Sequence, residues 1–388
     1  MRYYKMIAAA LIGSSALTSC FKDEPLNAEC DIEQAYIHVD NPTDLFFQAS
    51  DTLVNVLSTD NTVNFKVRLG SDCSSLAPYF KLTAGATISP ANGSTQDFSN
   101  GPIIYTVTSE DKQWTRSYKV NVTEDARTIG DTVSYHFDNY KFNEASDFSP
   151  AGQYYEWYDI NSNGQEVKNW ASGNQGFSIS MPSATPYEYP TSPTEGYDGQ
   201  GVKLVTRSTG ELGEMVGKRI AAGNLFIGSF DGMSALLDAM KATQFGKPFD
   251  RKPIKFEGYY KYTPGKNFQD ENGKIVEGKV DKGSIYAVIY KNHDEKGNPV
   301  VLYGDNVKTS SQLVGIAEVK EIKNTDSWTA FETTFEYSEE IDSELLENRG
   351  YSMAIVFSSS DEGATFKGAV GSTLCIDEVK LICAKIEE

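Results

Sequence analysis

Histidine is nearly missing from this 388-residue chain: His38, His136 and His293 are the full complement, and no two lie close in sequence. A histidine-built zinc site or a Ser-His-Asp triad has little to draw on. Positive charge is also short. Lys and Arg number 35 against 54 Asp and Glu, a formal charge of −19. Such a surface repels phosphate backbones, which argues against a nucleic-acid partner, but it is no bar to neutral sugars. Glycine-rich pieces such as 210–217 lack the Gly-Lys-Ser/Thr ending of a phosphate loop, so nucleotide binding has no support.

Aromatic residues are plentiful at 12%, with 22 tyrosines and 32 glycines. That profile suits a turn-rich β protein better than a helical bundle, and the length accommodates two or three domains. Arg2 and Lys5 precede an apolar run from Met6 to Leu17 that is too short to span a membrane and reads as a secretory signal peptide, residues 1–19. It ends in Leu17-Thr18-Ser19-Cys20, which resembles a bacterial lipobox. The resemblance implies cleavage before Cys20 and lipidation of that cysteine, whose acyl chains would anchor the protein. Lys22-Asp23-Glu24 resembles the lysine-plus-acid signal that sends lipoproteins to the outer cell surface. The expected location is therefore the outer membrane, lipid-anchored and facing the exterior, with residues 20–29 as a tether.

Four further cysteines remain. In an exported chain Cys30 with Cys73 is a plausible staple. Cys375 and Cys383 sit on one stretch of strand pattern about 26 Å long, too far apart to pair.

From 30 to 125 the signals are those of a small β-sandwich. Val63, Phe65, Val67 and Leu69 alternate with polar residues, 88–94 carries turn chemistry, and 104–108 and 118–122 read as strands. The run through Ile88, Asp97-Phe98, Tyr105-Thr106-Val107-Thr108 and Trp114 resembles the immunoglobulin-like spacer modules of bacterial surface lipoproteins. Trp114 is read as core or hairpin packing. After a boundary near 124–130, strand patterns recur at 133–138, 201–206, 255–262, 284–290, 328–337, 351–357 and 374–382, suiting an antiparallel jelly-roll over 130–388. One helix is expected, capped by Asp231, with Met233, Leu236, Leu237 and Met240 covering the core.

The stretch 169–201 stands out. Pro182, Pro186, Pro190 and Pro193 preclude a continuous helix or a central strand, while its aromatics argue against disorder. It reads as an ordered loop carrying rings and amides, the chemistry that grips sugars. Trp157, Trp170, Tyr187, Tyr189 and Tyr197 supply flat faces; Asn174, Glu188 and Asp198 supply groups for hydroxyls. Core packing is weighed against sugar contact for both tryptophans, and Trp170 is read as an anchor. The three tyrosines, flanked by prolines and turn residues, are expected at the surface. Tyr260 and Tyr262 share one face of a strand and are assigned to sheet packing.

Trp170-Ala171-Ser172-Gly173-Asn174, the run 220–230, Asp281-Lys282-Gly283-Ser284, Phe357-Ser358-Ser359-Ser360 and 371–379 together resemble the putative carbohydrate metabolism domain of bacterial surface lipoproteins. The resemblance covers about 130–385. It implies a jelly-roll like carbohydrate-binding modules, found alongside glycan-uptake proteins, and supplies no catalytic residues. Sugar-binding jelly-rolls also hold a structural calcium between acids on the first and last strands, which implies Asp138 and Asp377 here. The run from Asp159 to Gly164 matches half of a calcium loop but lacks its closing Glu, so a turn is preferred there. The expectation is a surface lipoprotein that captures polysaccharide or oligosaccharide without catalysis. The alternatives are a glycoside hydrolase, with Glu156, Asp159, Glu188 and Glu257 as the least arbitrary acids, and a structural or adhesin-like subunit.

Overall fold

The computed structural model describes residues 26–47, 49–68, 71–125, 132–161 and 164–384. The signal peptide, Cys20 and the export signal at 22–24 lie outside the described residues, as does most of the tether.

The N-terminal module is a sandwich of two small sheets. Leu53–Asn55, Ile32–Ile37 and Pro78–Leu82 pair antiparallel in that order. Opposite them, Thr62–Arg68 runs parallel to Thr115–Asp125, which continues through Ile103–Thr108 to Thr87–Ser89. The alternation around Val63 is realised: Val63, Phe65 and Val67 are buried against Ile32, Ala35, Tyr105 and Val120. Two expectations fail here. Cys30 and Cys73 are unbridged, because both pack against this apolar core as free thiols. Trp114 is 59% exposed. Its hairpin is closed by polar bonds instead: the Trp114 amide donates to Ser109 Oγ at 3.1 Å, and Ser109 N donates to Trp114 O at 3.0 Å.

The larger domain is a jelly-roll sandwich, and the chain as a whole is mostly β. One sheet has nine strands, running Leu302–Tyr303, Thr243–Phe245, Asn224–Phe230, Tyr351–Ser358, Ser284–Lys291, Leu313–Glu318, Glu336–Tyr337, with Trp170–Ala171 and Lys247–Phe249 paired off that path. The other has six: Thr191–Glu195, Gln200–Val205, Thr373–Cys383, Pro253–Thr263 and Thr325–Thr334, with Thr132–Tyr135 beside Thr373–Cys383. Val202, Leu204, Phe256, Tyr260, Tyr262, Leu374 and Ile376 face inward from the six-stranded sheet onto Ile285, Ala287, Ile289, Ile355 and Phe357. The pleat sends successive side chains to opposite faces, and burying each large apolar side chain contributes about 1.5–3 kcal/mol. Cys375 and Cys383 share one strand, Thr373–Cys383, and are not bridged to each other.

Helix content exceeds the single helix expected, with six short helices among the described residues. Asp231 does cap one of them, its carboxylate accepting from Met233 N at 3.0 Å. That helix stops at Leu237 because Asp238 leaves helical geometry and caps a second, Ala239–Ala242. Met233 is 45% exposed, so the predicted stripe does not act as one core-covering face; the side chains of Leu236 and Leu237 lie outside those described. The two domains touch. Arg68 and Arg349 sit 5.1 and 4.3 Å from the Phe47 ring, and Arg68 donates to Asn348 Oδ1 at 2.9 Å.

Candidate functional site

The stretch 169–201 holds more regular structure than a loop. It contains the strand Trp170–Ala171, the helix Asn174–Ser180, a 3-10 turn at Pro186–Glu188 and the strand Thr191–Glu195. Its prolines begin only at 182, which leaves room for a two-turn helix before them. Pro193 is tolerated because Thr191–Glu195 is an edge strand.

This local order buries several residues expected to meet ligand. Trp157 and Trp170 are each 2% exposed. Trp170 packs edge-on against Tyr135 and Phe137, both at 5.1 Å, and its Nε1 donates to Asp159 Oδ1 at 3.2 Å. Tyr189 is fully buried between Tyr154 at 5.4 Å and Phe177 at 5.3 Å. Asn174 is buried as well: its amide donates to Thr191 O at 2.8 Å and accepts from Thr191 N at 3.0 Å, clamping helix to strand. Glu188 accepts from both Thr185 N and Thr185 Oγ1 at 2.7 Å, a reciprocal cap that lowers its pKa. Trp157, Trp170, Asn174 and Tyr189 are therefore structural, and Glu188 is committed to the turn. Tyr187, Tyr197 and Asp198 are exposed as expected.

What the fold gathers instead is the hairpin formed by Thr191–Glu195 and Gln200–Val205. Its outer side opens into a cleft of about 380 Å³ lined by Tyr187, Ser192, Thr194, Glu195, Gln200 and Lys203, with Pro193 at its wall. Behind Tyr187 stands an aromatic ladder. Tyr155 lies 5.6 Å from Tyr187 and 4.6 Å from Phe142, stacked on the latter. Burial and the Tyr187 hydroxyl push the Tyr155 phenol up to about 12.

The hairpin tip carries Tyr197, which stacks on Tyr259 with centroids 3.7 Å apart and planes 9° from parallel. Two carboxylates fix that tip. Asp377 Oδ2 accepts from Tyr197 N at 2.7 Å and Asp198 N at 3.0 Å, and Asp138 Oδ1 accepts from Gln200 N at 2.8 Å. Glycine is required on both sides: a Cβ at Gly196 would lie 2.5 Å from Asp377 Oδ2, and one at Gly199, whose φ is +62°, would lie 2.4 Å from Asp138 Oδ1. Burial pushes the Asp377 carboxyl up to about 6, against the pull of its amide donors.

Asp138 and Asp377, read from the sequence as calcium ligands, thus serve first as clamps on backbone amides. One feature suits a cation: Asp377 Oδ1 is buried with no hydrogen-bond partner among the described residues. No group of three or more His, Cys, Asp or Glu with metal-ligand geometry occurs among them, so a calcium here would draw its remaining oxygens from carbonyls and water. The half calcium loop is the preferred turn, joining Asp159–Ile160 to Glu166–Val167. Its Ser162 and Asn163 lie outside the described residues, and the Asp159 carboxylate is occupied by Asn169 Nδ2 at 2.7 Å and Trp170 Nε1.

The acids weighed for hydrolysis are each engaged elsewhere. Glu156 pairs with Lys168 at 3.5 Å, Glu257 with Lys255 at 2.7 Å, Asp159 holds Trp170, and Glu188 caps its turn. The cleft itself presents one carboxylate, Glu195. Sequence reasoning missed Glu195, Gln200, Lys203, Tyr155 and Tyr259. A signal was there to use: Asp198-Gly199 between two alternating runs marks a hairpin with Tyr197 at its tip.

The family described as Putative carbohydrate metabolism domain matches residues 136–382, and the one described as SGBP, N-terminal matches residues 45–122. The chain belongs to the putative carbohydrate metabolism domain family. A crystal structure described as a putative glycoside hydrolase from Bacteroides thetaiotaomicron is 40% identical, with a TM-score of 0.79, covering 94% of this chain and 100% of that one. A second, described as a putative glycoside hydrolase from Bacteroides vulgatus, is also 40% identical, with a TM-score of 0.59, covering 65% of this chain and 98% of that one. No curated protein matches the chain.

In this member of the putative carbohydrate metabolism domain family, several motif residues meet in a buried polar knot rather than at the cleft. Asp281 Oδ2 accepts from Ser360 Oγ at 2.6 Å, Ser372 Oγ at 2.7 Å and Ala369 N at 2.7 Å. Thr206 completes it through Ser359 at 2.8 Å and Ser360 at 2.6 Å. All five side chains are at most 3% exposed, so these motifs report the fold.

Proposed function

We propose that the protein captures polysaccharide or oligosaccharide at the bacterial cell surface through the 191–205 hairpin, without catalysing a reaction. The observation that carries this is a pair of exposed rings, Tyr187 at 62% lining the polar cleft and Tyr197 at 51% at the hairpin tip. A pyranose has an apolar C–H face that stacks on such rings and hydroxyls that meet Thr194, Glu195 and Gln200. In this reading lipidated Cys20 anchors the chain to the outer membrane, the N-terminal module lifts the larger domain from it, and glycan-uptake proteins receive the cargo. The match to the SGBP N-terminal family supports the surface glycan role.

The test is affinity electrophoresis across a broad polysaccharide panel. Tyr187→Ala and Tyr197→Ala are each expected to weaken binding about tenfold while costing only about 1 kcal/mol of stability, the worth of the lost pairs with Tyr155 and Tyr259. Absence of binding across the panel would sink the proposal.

A hydrolase is the second reading, favoured by the descriptions of the two 40%-identical structures. Hydrolysis uses two carboxyl groups about 5–9.5 Å apart, and Glu195 stands without a second acid in the lining of the cleft. Release of reducing ends, abolished in Glu195→Gln, would establish this reading over the first. A structural calcium at Asp377 Oδ1 belongs to the proposal as well.

A further inference from the structure

The outer face of the six-stranded sheet carries a second row of side chains beside the Tyr197–Tyr259 stack. Lys203 and Lys261 lie on the two strands that flank Cys375, each in register with it. Strand spacing puts their Cα atoms about 10 Å apart. Lys203 lines the cleft, and Lys261 Nζ sits 4.5 Å from the Trp328 ring on the next strand out. Neither lysine forms an ion pair with a carboxylate among the described residues. The contrast on the same strand is instructive: Lys255 is neutralised by Glu257 at 2.7 Å and Glu332 at 3.2 Å.

With 54 acids against 35 bases the net charge opposes polyanions at long range, but salt screens that field beyond about 8 Å. Two neighbouring cations without a carboxylate partner make a locally positive row of little use to a neutral ligand. It is well suited to an anionic one. We propose that the glycan taken by this face is a uronate polymer, with sugar rings stacked on Tyr197 and Trp328 and carboxylates meeting Lys203 and Lys261. The inference rests on the glycan-binding reading above and adds the substrate class. Glu195 and Asp198 stand toward the hairpin tip, so the face runs from acid at the turn to base at mid-strand. That polarity orients a chain whose carboxylates must point away from the tip. Lysine is a point charge that tolerates several carboxylate angles, which suits a flexible polymer.

The experiment uses the full-length mature chain and matched polymers: polygalacturonate, alginate, hyaluronan and glucuronoxylan, each beside its carboxyl-reduced form, with neutral and sulfated polysaccharides alongside. The expected result is one uronate polymer binding at least about tenfold tighter than its reduced form, weakening from about 50 to 200 mM salt as screening grows. Lys203→Met and Lys261→Met should each remove most of that preference, while Lys203→Arg retains it; both lysines are half-exposed, and thermal unfolding reports whether the variants fold. Equal binding of reduced and unreduced polymers overturns the uronate assignment and leaves the glycan reading standing. Binding of sulfated polymers without regard to carboxylates also overturns it. No binding to any polymer overturns both.

Discussion

Asp377→Asn tests whether the hairpin tip is held by a buried charge. Asp377 is fully buried, two backbone amides donate to its Oδ2, and burial lifts its carboxyl from 3.8 to about 6. An acid whose folded-state pKa exceeds its unfolded value keeps its proton on folding over the interval between the two. Stability from this group is therefore greatest below pH 3.8, falls as pH rises toward 6, and is level above it. At 1.36 kcal/mol per pKa unit the ionised form costs the folded state about 3 kcal/mol at neutral pH. Asn keeps an oxygen for the two amides and removes the charge, with a fixed offset from burying its NH₂ group. The offset cancels when the variant is compared with wild type at several pH values. Urea unfolding in chelator should show the stability difference moving in the variant's favour by about 2.5 kcal/mol between about pH 4 and pH 7. Parallel pH profiles for the two proteins would refute the reasoning. If calcium takes Asp377 Oδ1, adding it at pH 7 stabilises wild type by mass action and leaves Asp377→Asn unmoved.

Trp170→Ala should lower stability by about 3–5 kcal/mol, read from denaturant midpoints, because it empties the space between Tyr135, Phe137 and Phe357. Its glycan affinity, measured on the folded fraction at low temperature, should equal wild type; a selective loss of affinity would return Trp170 to the ligand. Asn174→Ala removes both bonds that tie the helix Asn174–Ser180 to Thr191 and strands two buried backbone groups. The expected cost is about 2–5 kcal/mol by the same measurement, and a change under about 0.5 kcal/mol would contradict the clamp.

Much of the architecture was legible because it rests on period and punctuation. Val63, Phe65 and Val67 alternate, and the strand interiors around Tyr260 and Tyr262 do the same, so two β-sandwiches followed from residue order. The site was legible only in outline. The stretch 169–201 is the right region, yet of its tyrosines composition could not separate Tyr187 and Tyr197, which face solvent, from Tyr189, which lies between Tyr154 and Phe177. Those partners are set by tertiary contacts. Asn174 misled for a related reason: an amide reads as a sugar-binding group until Thr191 is found occupying both of its ends.

By itself the sequence determined an acidic, β-rich chain and its resemblance to the putative carbohydrate metabolism domain family. These properties are local or compositional, so they survive without coordinates. The tertiary structure decided which rings are free, which acids are spent on backbone amides, and which cations remain unpaired. Tyr197 meets Tyr259 across 62 residues of chain, Asp377 reaches back to the tip of a hairpin about 180 positions earlier, and Lys203 and Lys261 become neighbours only through Cys375 between them. Pairings at such separations are fixed by sheet register, which no short window of sequence contains.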